Sequence, residues 1–480
     1  MREDDYSFFE EDQFKETLAA YENMVNSGTP TYMGPDELTD IAEYYVVNNR
    51  REEAMKCIDY ALSLHPDAVD PMVFLARQHM FEGNTQKART ICESINDQSD
   101  REVIFLKAEI LIREGQADKA FDLLFRTYEQ LQEEQDVFLN DCIDICYDYY
   151  YNEKGLEWAR LLYQEFPDYE DRTMVLADML VLNGKNDEAL TLLDKELDES
   201  PYNMKAWLLL TDALCGKGNY NHALDAADFA LAINPTEEHA MLVKANCYFH
   251  LNKMEEAHRQ YVEYQKLYPA DDNGLYLDGL CLINMERFPE AVSQLEKALE
   301  MDHTRSGLGL QICSQLAYAL SKLGKASQAL DVLERGDEFT TPDDRFEKEL
   351  MRGHIFLENG MEREAYREFQ IAVEKSSDPN ITWLTIAISM CECQLYDESA
   401  GIMENLESTL SDEQLVLALP YMAYSYYYLQ RWPDFLRCLP LAVEKNRETT
   451  EYLFSPIYPG KKPEEYIETA MLHIREQEGQ

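Results

Sequence analysis

Residues 204–237 read MKAWLLLTDALCGKGNYNHALDAADFALAINPTE and predict two antiparallel helices. Apolar residues in the first half follow the i, i+3, i+7 spacing of one helix face, and Gly218 tolerates the left-handed backbone that ends a helix. Small residues in the second half allow a neighbouring helix to approach closely, and Pro235 stops this helix because it has no amide proton to donate. The apolar residues are Trp207, Leu210 and Leu214, and the small ones are Ala223, Ala227 and Ala230.

The small residue at Ala223 recurs along the chain with a period of 34 residues. A fixed period of this length is typical of stacked two-helix repeats. Extending it in both directions predicts twelve repeats, although some steps differ from 34 residues. The irregular steps predict loop insertions near residue 100, at 303–310 and at 336–345. The small positions are Ala54, Ala88, Ala120, Gly155, Ala189, Ala223, Ala257, Ala291, Ala329, Ala365, Ser399 and Phe435.

Two further rows of residues keep the same period. One row of small residues lies on the first helix of each repeat, with Ile143 and Thr211 as exceptions. The other lies in the turn between the two helices and consists of residue types that tolerate a positive φ. The first row is Ala42, Ala76, Ala108, Ala177, Ala245, Gly279, Ala317, Gly353, Ala387 and Ala423; the turn row is Asn49, Gly83, Gly115, Gly184, Gly218, Asn252, Gly324 and Gly360.

This combined pattern resembles the tetratricopeptide repeat over residues 35–448, with a departure at Thr211, where the family prefers glycine or alanine. The resemblance implies an all-α, right-handed solenoid of about twelve helix-turn-helix repeats. Terminal repeats would otherwise expose an apolar side, so we expect a helical cap at each end. The N-terminal cap is expected as an amphipathic helix over 6–26, and the C-terminal one as a helix with Tyr466, Ile467, Ala470, Met471 and Ile474 on one face. The predicted segments are an N-terminal capping helix at 1–34, repeats 1–8 with an acidic concave strip at 35–303, more divergent and aromatic repeats 9–12 at 304–448, and a C-terminal loop and capping helix at 449–480.

The charge balance is strongly acidic. The chain has 92 Asp and Glu against 43 Lys and Arg, a net charge of −49, which argues against nucleic acid as a partner. No apolar run approaches the roughly 20 residues that span a bilayer, so no membrane partner is expected. The acidic start MREDDYSFFEEDQF does not resemble a signal peptide, and the expected location is the cytoplasm.

Catalytic and metal-binding motifs are not found in the sequence. GxxxxGK[ST], HExxH and GxSxG are missing, and the nine histidines are scattered. Cys142 with Cys146 and Cys391 with Cys393 lack a second pair at zinc spacing, so the eleven cysteines are expected to be buried free thiols. We therefore predict a noncatalytic protein without a cofactor or metal; a regulatory enzyme or small-molecule sensor is the remote alternative.

The resemblance also implies a concave groove lined by the first helices, at repeat positions 2, 5, 6, 9, 12 and 13, here called groove positions. In the first half of the chain these positions are rich in carboxylates, which favours a basic peptide or protein segment as ligand. A solvated face that only discourages nonspecific association is the open alternative. The predicted binding residues are Glu109, Asn140, Asp141, Asp144, Tyr147, Asp148, Asp171, Asp178, Asp212, Asn246, Phe249, Tyr276 and Tyr318.

The second half of the chain offers aromatic residues at its groove positions. The cluster at Tyr421–Tyr428 predicts either a peptide contact or packing against the last helices. Self-assembly through this aromatic half or through the caps is the alternative function, and the oligomeric state stays open. Leu208, Asp212 and Leu242 stand where the family's carboxylate clamp needs polar and cationic residues, so an acidic C-terminal tail is not the expected ligand.

Overall fold

The computed structural model of the 480-residue chain describes residues 8–9, 11–27, 32–48, 50–301, 307–336, 339 and 345–477. These residues form helices joined by short turns and contain no β-strand. The all-α solenoid architecture expected from the repeat pattern is confirmed.

In the part of the chain that the structure describes, helix α1 spans Asp12–Ser27 and twelve pairs of helices follow it. The pairs are α2 Pro35–Val47 with α3 Arg51–Leu64, α4 Val69–Phe81 with α5 Thr85–Ser94, α6 Arg101–Arg113 with α7 Ala117–Gln130, α8 Gln135–Asp148 with α9 Asn152–Glu165, α10 Arg172–Leu182 with α11 Asn186–Glu199, α12 Met204–Gly216 with α13 Tyr220–Ile233, α14 Glu238–His250 with α15 Met254–Leu267, α16 Asp272–Asn284 with α17 Phe288–Leu299, α18 Gly309–Lys322 with α19 Ala326–Arg335, α20 Arg345–Glu358 with α21 Glu362–Lys375, α22 Pro379–Glu392 with α23 Tyr396–Leu406, and α24 Asp412–Tyr428 with α25 Trp432–Lys445. The chain continues with α26 Arg447–Phe454, a 3₁₀ turn Pro463–Glu465 and α27 Tyr466–Gln477.

Both rows of small residues are buried at the contact between the two helices of a repeat, as predicted. Glycine is required where this contact is closest. A Cβ atom added to Gly279 would lie 2.6 Å from Leu295, and one added to Gly353 would overlap the ring of Phe369. Phe435 is also fully buried although it is large, and it occupies the aromatic end of the chain described below.

The predicted turn residues adopt the left-handed backbone. Gly83, Gly115, Gly184, Gly218, Asn252, Gly324 and Gly360 have φ values between 57° and 79°, while Asn49 lies outside the described residues. The other turns use residues that the sequence did not single out. Tyr150, Glu286, Gln394 and Gln430 occupy the same turn with φ between 57° and 66°.

The chain divides into two compact units, Met1–Ile233 and Asn234–Gln480. Within the N-terminal unit α2 contacts α4, α4 contacts α6, and α10 contacts α12. Within the C-terminal unit α16, α18, α20, α22 and α24 contact one another in succession. The first helices that contact one another therefore form layers, in which the groove positions of adjacent repeats lie side by side.

The irregular step near residue 100 has two opposing causes. Helix α5 is four residues shorter than α3, and the connection 95–100 is two residues longer than the connection 65–68. The net result is a step of 32 residues. The insertions predicted at 303–310 and 336–345 fall largely on 302–306, 337–338 and 340–344, which lie outside the described residues.

The N-terminal helix packs on the first repeat, as expected of a cap. Phe14, Tyr21 and Met24 of α1 are buried, and the rings of Phe14 and Tyr44 lie 5.4 Å apart. The predicted helix was 6–26; of that range, residues 6, 7 and 10 lie outside the described residues.

The C-terminal end differs in two respects from the prediction. Helix α26 occupies residues predicted as a loop, and Met471, predicted on the packed face of the last helix, is 44% exposed. Tyr466, Ala470 and Ile474 are buried as predicted.

The aromatic cluster at Tyr421–Tyr428 packs against the last helices, which is the packing alternative. The ring of Tyr424 lies 5.7 Å from that of Phe454, and the ring of Tyr427 lies 5.5 Å from that of Phe435. Phe454 is fully buried. These rings therefore close the apolar end of the repeat array.

Nine of the eleven cysteines are buried and the other two are half-buried, all as free thiols. Burial raises the pKa of the Cys57 and Cys391 thiols to about 11, so both stay protonated at neutral pH. Among the described helices none is both long and apolar enough to cross a bilayer.

Candidate functional site

In the N-terminal unit, helices α2 and α4 and the start of α6 enclose an open cavity of about 290 Å³. Its wall carries the carboxylates of Asp36, Asp40, Glu43, Asp70 and Glu102. We call it the acidic cavity. Each of these residues occupies groove position 2, 6 or 9 of its repeat, so the layer of first helices brings them to one surface.

Like charges at this cavity are held close together. Burial, with the nearby charge of Asp40 as the next cause, raises the pKa of Glu43 to about 7. Burial first and Asp36 second raise the pKa of Asp40 to about 6. The pKa of Asp70 is also raised, again mainly by burial. A cation placed here would relieve both the desolvation and the repulsion.

Among the described residues that line the acidic cavity, Arg77 is the only one with a cationic side chain. Its Nη1 lies 3.0 Å from Glu102 Oε2, and its Nη2 lies 2.8 Å from Glu109 Oε1. Arg77 therefore joins two carboxylates of α6, and no second cation among the described residues of the cavity wall accompanies Asp36, Asp40, Glu43 and Asp70. The cavity keeps an excess of negative charge.

The structure places the predicted residues of α6 and α8 in contact with internal partners. Glu109 is only 9% exposed and also accepts a hydrogen bond of 3.4 Å from the Tyr149 hydroxyl. Asp141 pairs with Arg101 of α6. Asn140 Nδ2 donates to Asp144 Oδ2 at 3.1 Å. These side chains order the layer of first helices and are less open to a ligand than a bare acidic strip would be.

The remaining predicted residues of this unit are more accessible. Tyr147, Asp148 and Asp171 are exposed, and Asp178 and Asp212 are half-buried. Together with the acidic cavity they give the N-terminal unit carboxylates along the first helices of all six repeats. We call this surface the acidic face.

Sequence reasoning missed Asp36, Asp40 and Asp70 as site residues. The signal was present, because Asp36 and Asp70 stand at groove position 2 and Asp40 at position 6. The predicted binding residues begin at Glu109 in the third repeat, so the prediction did not include the first two repeats. The period places Arg77 at position 9, but it does not predict that Arg77 pairs with Glu102 and Glu109, which lie 25 and 32 residues later in the chain.

The C-terminal unit has two adjoining cavities on its layer of first helices. The larger, of about 540 Å³, is lined by α16, α18, α20 and α22 and includes Tyr276, Leu350, Met351 and Ile388. The smaller, of about 280 Å³, has five tyrosines among its twelve lining residues. Both are bounded by Tyr318 and Glu392. We call the two together the C-terminal groove.

Two of the four residues predicted in this unit lie in the C-terminal groove. Tyr276 and Tyr318 line it, and the Tyr318 ring stacks on His354 at 5.6 Å. Asn246 and Phe249 lie outside it, on α14. The Asn246 Oδ1 atom accepts a hydrogen bond of 2.6 Å from the Tyr261 hydroxyl, which ties this side chain to the second helix of its own repeat.

No group of three or more potential metal ligands occurs in the part of the chain that the structure describes.

Residues 216–298 match the family model described as anaphase-promoting complex, cyclosome, subunit 3. No curated protein matches the chain. Yeast Tom70 is similar with a TM-score of 0.45 and 14% identity, over 92% of this chain and 96% of that one. A tetratricopeptide repeat protein from Parabacteroides merdae ATCC 43184 is similar with a TM-score of 0.42 and 17% identity, over 52% of this chain and 98% of that one. YrrB, described as a TPR protein with an unusual peptide-binding site, is similar with a TM-score of 0.33 and 16% identity, over 40% of this chain and 95% of that one. These structural similarities are too distant to carry an argument about function.

Proposed function

Because the chain is a tetratricopeptide-repeat protein, we propose that it is a noncatalytic interaction scaffold that binds a basic peptide or protein segment on its acidic face. The observation that carries this proposal is the acidic cavity. Five carboxylates from three neighbouring first helices line one concavity with a single arginine, and that arginine is already paired. A ligand with several positive charges would neutralise the excess negative charge of the carboxylates in this cavity.

The geometry favours an extended basic segment over a single small cation. Asp144, Asp178 and Asp212 stand at the ninth repeat position of later first helices, as Glu43 of the acidic cavity does on α2. Successive side chains of an extended chain could therefore meet successive repeats. At the exposed carboxylates of the acidic face, such as Asp148 and Asp171, each contact would contribute modestly, about 0.2–1 kcal/mol, so that affinity would come from several contacts together.

Titration of a fluorescently labelled basic peptide into the full-length protein tests this proposal from the ligand side. The matched control replaces each arginine of the peptide by citrulline, which keeps the shape and removes the charge. We expect saturable binding of the arginine peptide that weakens as salt rises from about 0.1 M to about 1 M, where the screening length falls from about 10 Å to about 3 Å. Equal binding of both peptides, or binding indifferent to salt, would support the alternative of a solvated acidic face.

Self-assembly through the aromatic half is not favoured by a specific observation. Tyr424 and Tyr427 are engaged with Phe454 and Phe435 inside the C-terminal unit, so these rings are used for internal packing. The free thiols suit a reducing compartment, and we propose the cytoplasm as the location.

A further inference from the structure

We propose that the C-terminal groove is a second peptide site, which accepts an aliphatic side chain and, close to it, an arginine or lysine. This site lies in the other compact unit and shares no residue with the acidic face. It therefore goes beyond the function proposed above, and its ligand differs by the need for an aliphatic residue.

The larger cavity supplies the aliphatic subsite. Leu350, Met351, Ile381 and Ile388 come from α20 and α22, and each is only partly buried in the free protein. Groove positions 2, 5, 6 and 9 bring them together. An aliphatic side chain of a ligand would remove this surface from water, which is the main favourable term in peptide association.

Polar side chains in the same cavity can hold the ligand backbone. Ser314, Gln315 and Ser389 line it beside the aliphatic residues. His354 is 4% exposed, and its Nε2 faces a Glu358 carboxylate oxygen at 3.6 Å, which is longer than a good hydrogen bond. A buried polar atom without a good hydrogen bond is costly, and a ligand group could satisfy it.

The smaller cavity supplies the cation subsite. Lys322 of this cavity is already paired with Glu358, and its ammonium lies 4.9 Å from the centre of the Tyr318 ring. Glu286 and Glu392 add two further carboxylates to the wall. The groove thus has more negative than positive charge, and it already holds one cation against an aromatic face.

Two other features of the smaller cavity favour a cation. Helices α18 and α22 end at Lys322 and Glu392, and α16 ends two residues before Glu286, so that the cavity lies at the partially negative ends of three helices. Tyrosine rings attract guanidinium and ammonium groups through their faces. Four more tyrosines line this cavity: Tyr396, Tyr421, Tyr424 and Tyr452.

The two subsites are neighbours, since both cavities are bounded by Tyr318 and Glu392. A ligand that fills both must carry its aliphatic and its basic side chain close together. This requirement separates the site from a general acidic surface, where charge alone decides binding.

Fluorescence anisotropy with short capped peptides tests the inference on the full-length chain. The probes contain leucine and arginine, adjacent or separated by one or two glycines. Matched probes carry leucine with citrulline, or alanine with arginine. The protein variants are Glu392→Gln and, as a control, Glu364→Gln, which removes an exposed carboxylate from α21 outside the groove. A third variant changes Asp144, Asp178 and Asp212 of the other unit to lysine.

We expect at least one leucine–arginine probe to bind saturably, and about tenfold weaker binding after either the citrulline or the Glu392→Gln change. Alanine in place of leucine should weaken binding as well, while Glu364→Gln and the N-terminal triple variant leave it unchanged. Failure of every leucine–arginine probe to saturate, or equal affinity for the citrulline probe, would overturn the inference. Loss of binding in the N-terminal triple variant alone would overturn it too, because the probe would then be bound by the acidic face.

Discussion

Arg77 on α4 donates a hydrogen bond to Glu109 on α6 across 2.8 Å, and the same guanidinium reaches Glu102 at 3.0 Å. The pair joins the first helices of the second and third repeats at the edge of the acidic cavity. It also limits how far Arg77 can offset the cavity's negative charge, because Arg77 forms its ion pairs with α6 and only partly counteracts the rise in the pKa of Glu43 on α2.

Replacing Arg77 by methionine should destabilise the N-terminal unit. Glu109 is 9% exposed and would lose its positive partner, so we expect the free energy of unfolding to fall by about 1–3 kcal/mol, less than for a fully buried pair because Arg77 is partly accessible. Urea unfolding followed by circular dichroism measures the change. The double variant Arg77→Met with Glu109→Gln should recover part of the loss; a double variant no more stable than the single one would contradict the assigned pairing.

The raised pKa of Glu43 predicts a pH dependence of stability. Glu43 binds its proton more tightly in the folded protein, with a pKa of about 7, than in an unfolded chain, where the usual value is 4.5. The contribution of Glu43 to the free energy of unfolding is therefore complete below about pH 4.5 and is lost as the pH rises through about 7. In the Glu43→Gln variant we expect the free energy of unfolding to fall by about 1–3 kcal/mol less over this pH range than in the wild type.

Urea unfolding of wild type and Glu43→Gln across this pH range measures the effect. Asp59→Asn on α3 is the matched control, because Asp59 is exposed and lies on a second helix outside the acidic cavity. Parallel profiles for wild type and Glu43→Gln would contradict the proposed burial of that carboxyl group. A difference shared by Asp59→Asn would point instead to net charge.

Much of the fold could be predicted from sequence because the repeat imposes close backbone contacts. Small residues such as Ala54 and Ala223 are needed wherever two helices meet, so their spacing revealed both helices of every repeat. The turn at Gln430 was not visible, because a residue with a side chain can adopt a positive φ at a cost of about 1–2 kcal/mol, which packing can offset.

The candidate site was harder to predict than the fold. Groove positions follow from the period, and they place Asp178 and Asp212 on first helices without any structure. Which carboxylates are already neutralised depends on side chains that meet across whole repeats, as Arg101 and Asp141 do. Helix α26 escaped prediction because its eight residues are too few to show a helical period.

The left-handed turns predict two substitutions of opposite effect. Gln430 has φ of 57°, so Gln430→Gly should stabilise the protein by about 0.5–1 kcal/mol. Gly360 has φ of 70°, and an added Cβ would meet no atom within 4 Å, so Gly360→Ala should destabilise through the backbone alone. Thermal unfolding measures both, and equal effects of the same sign would refute the assignment.

The aromatic end predicts a large loss of stability on truncation of one ring. Phe454 is fully buried, and its ring lies near those of Tyr424, Phe435 and Tyr466. Phe454→Ala should therefore lower the free energy of unfolding by about 3–5 kcal/mol. Leu472→Ala on α27 is the control, since Leu472 is 54% exposed and should change stability by less than about 0.5 kcal/mol. Similar losses in the two variants would show that Phe454 does not anchor this end.

The central claim is that the acidic face binds a basic segment, and charge reversal on the protein tests it most directly. The test variant changes Asp144, Asp178 and Asp212 to lysine; the control variant changes Glu129, Glu165 and Glu199, exposed residues on second helices of the same unit, to lysine. Both variants alter the net charge equally. Anisotropy titration with a labelled arginine-rich peptide should show at least about tenfold weaker binding to the test variant and near wild-type binding to the control. Equal weakening in both variants, or none in either, would contradict the claim.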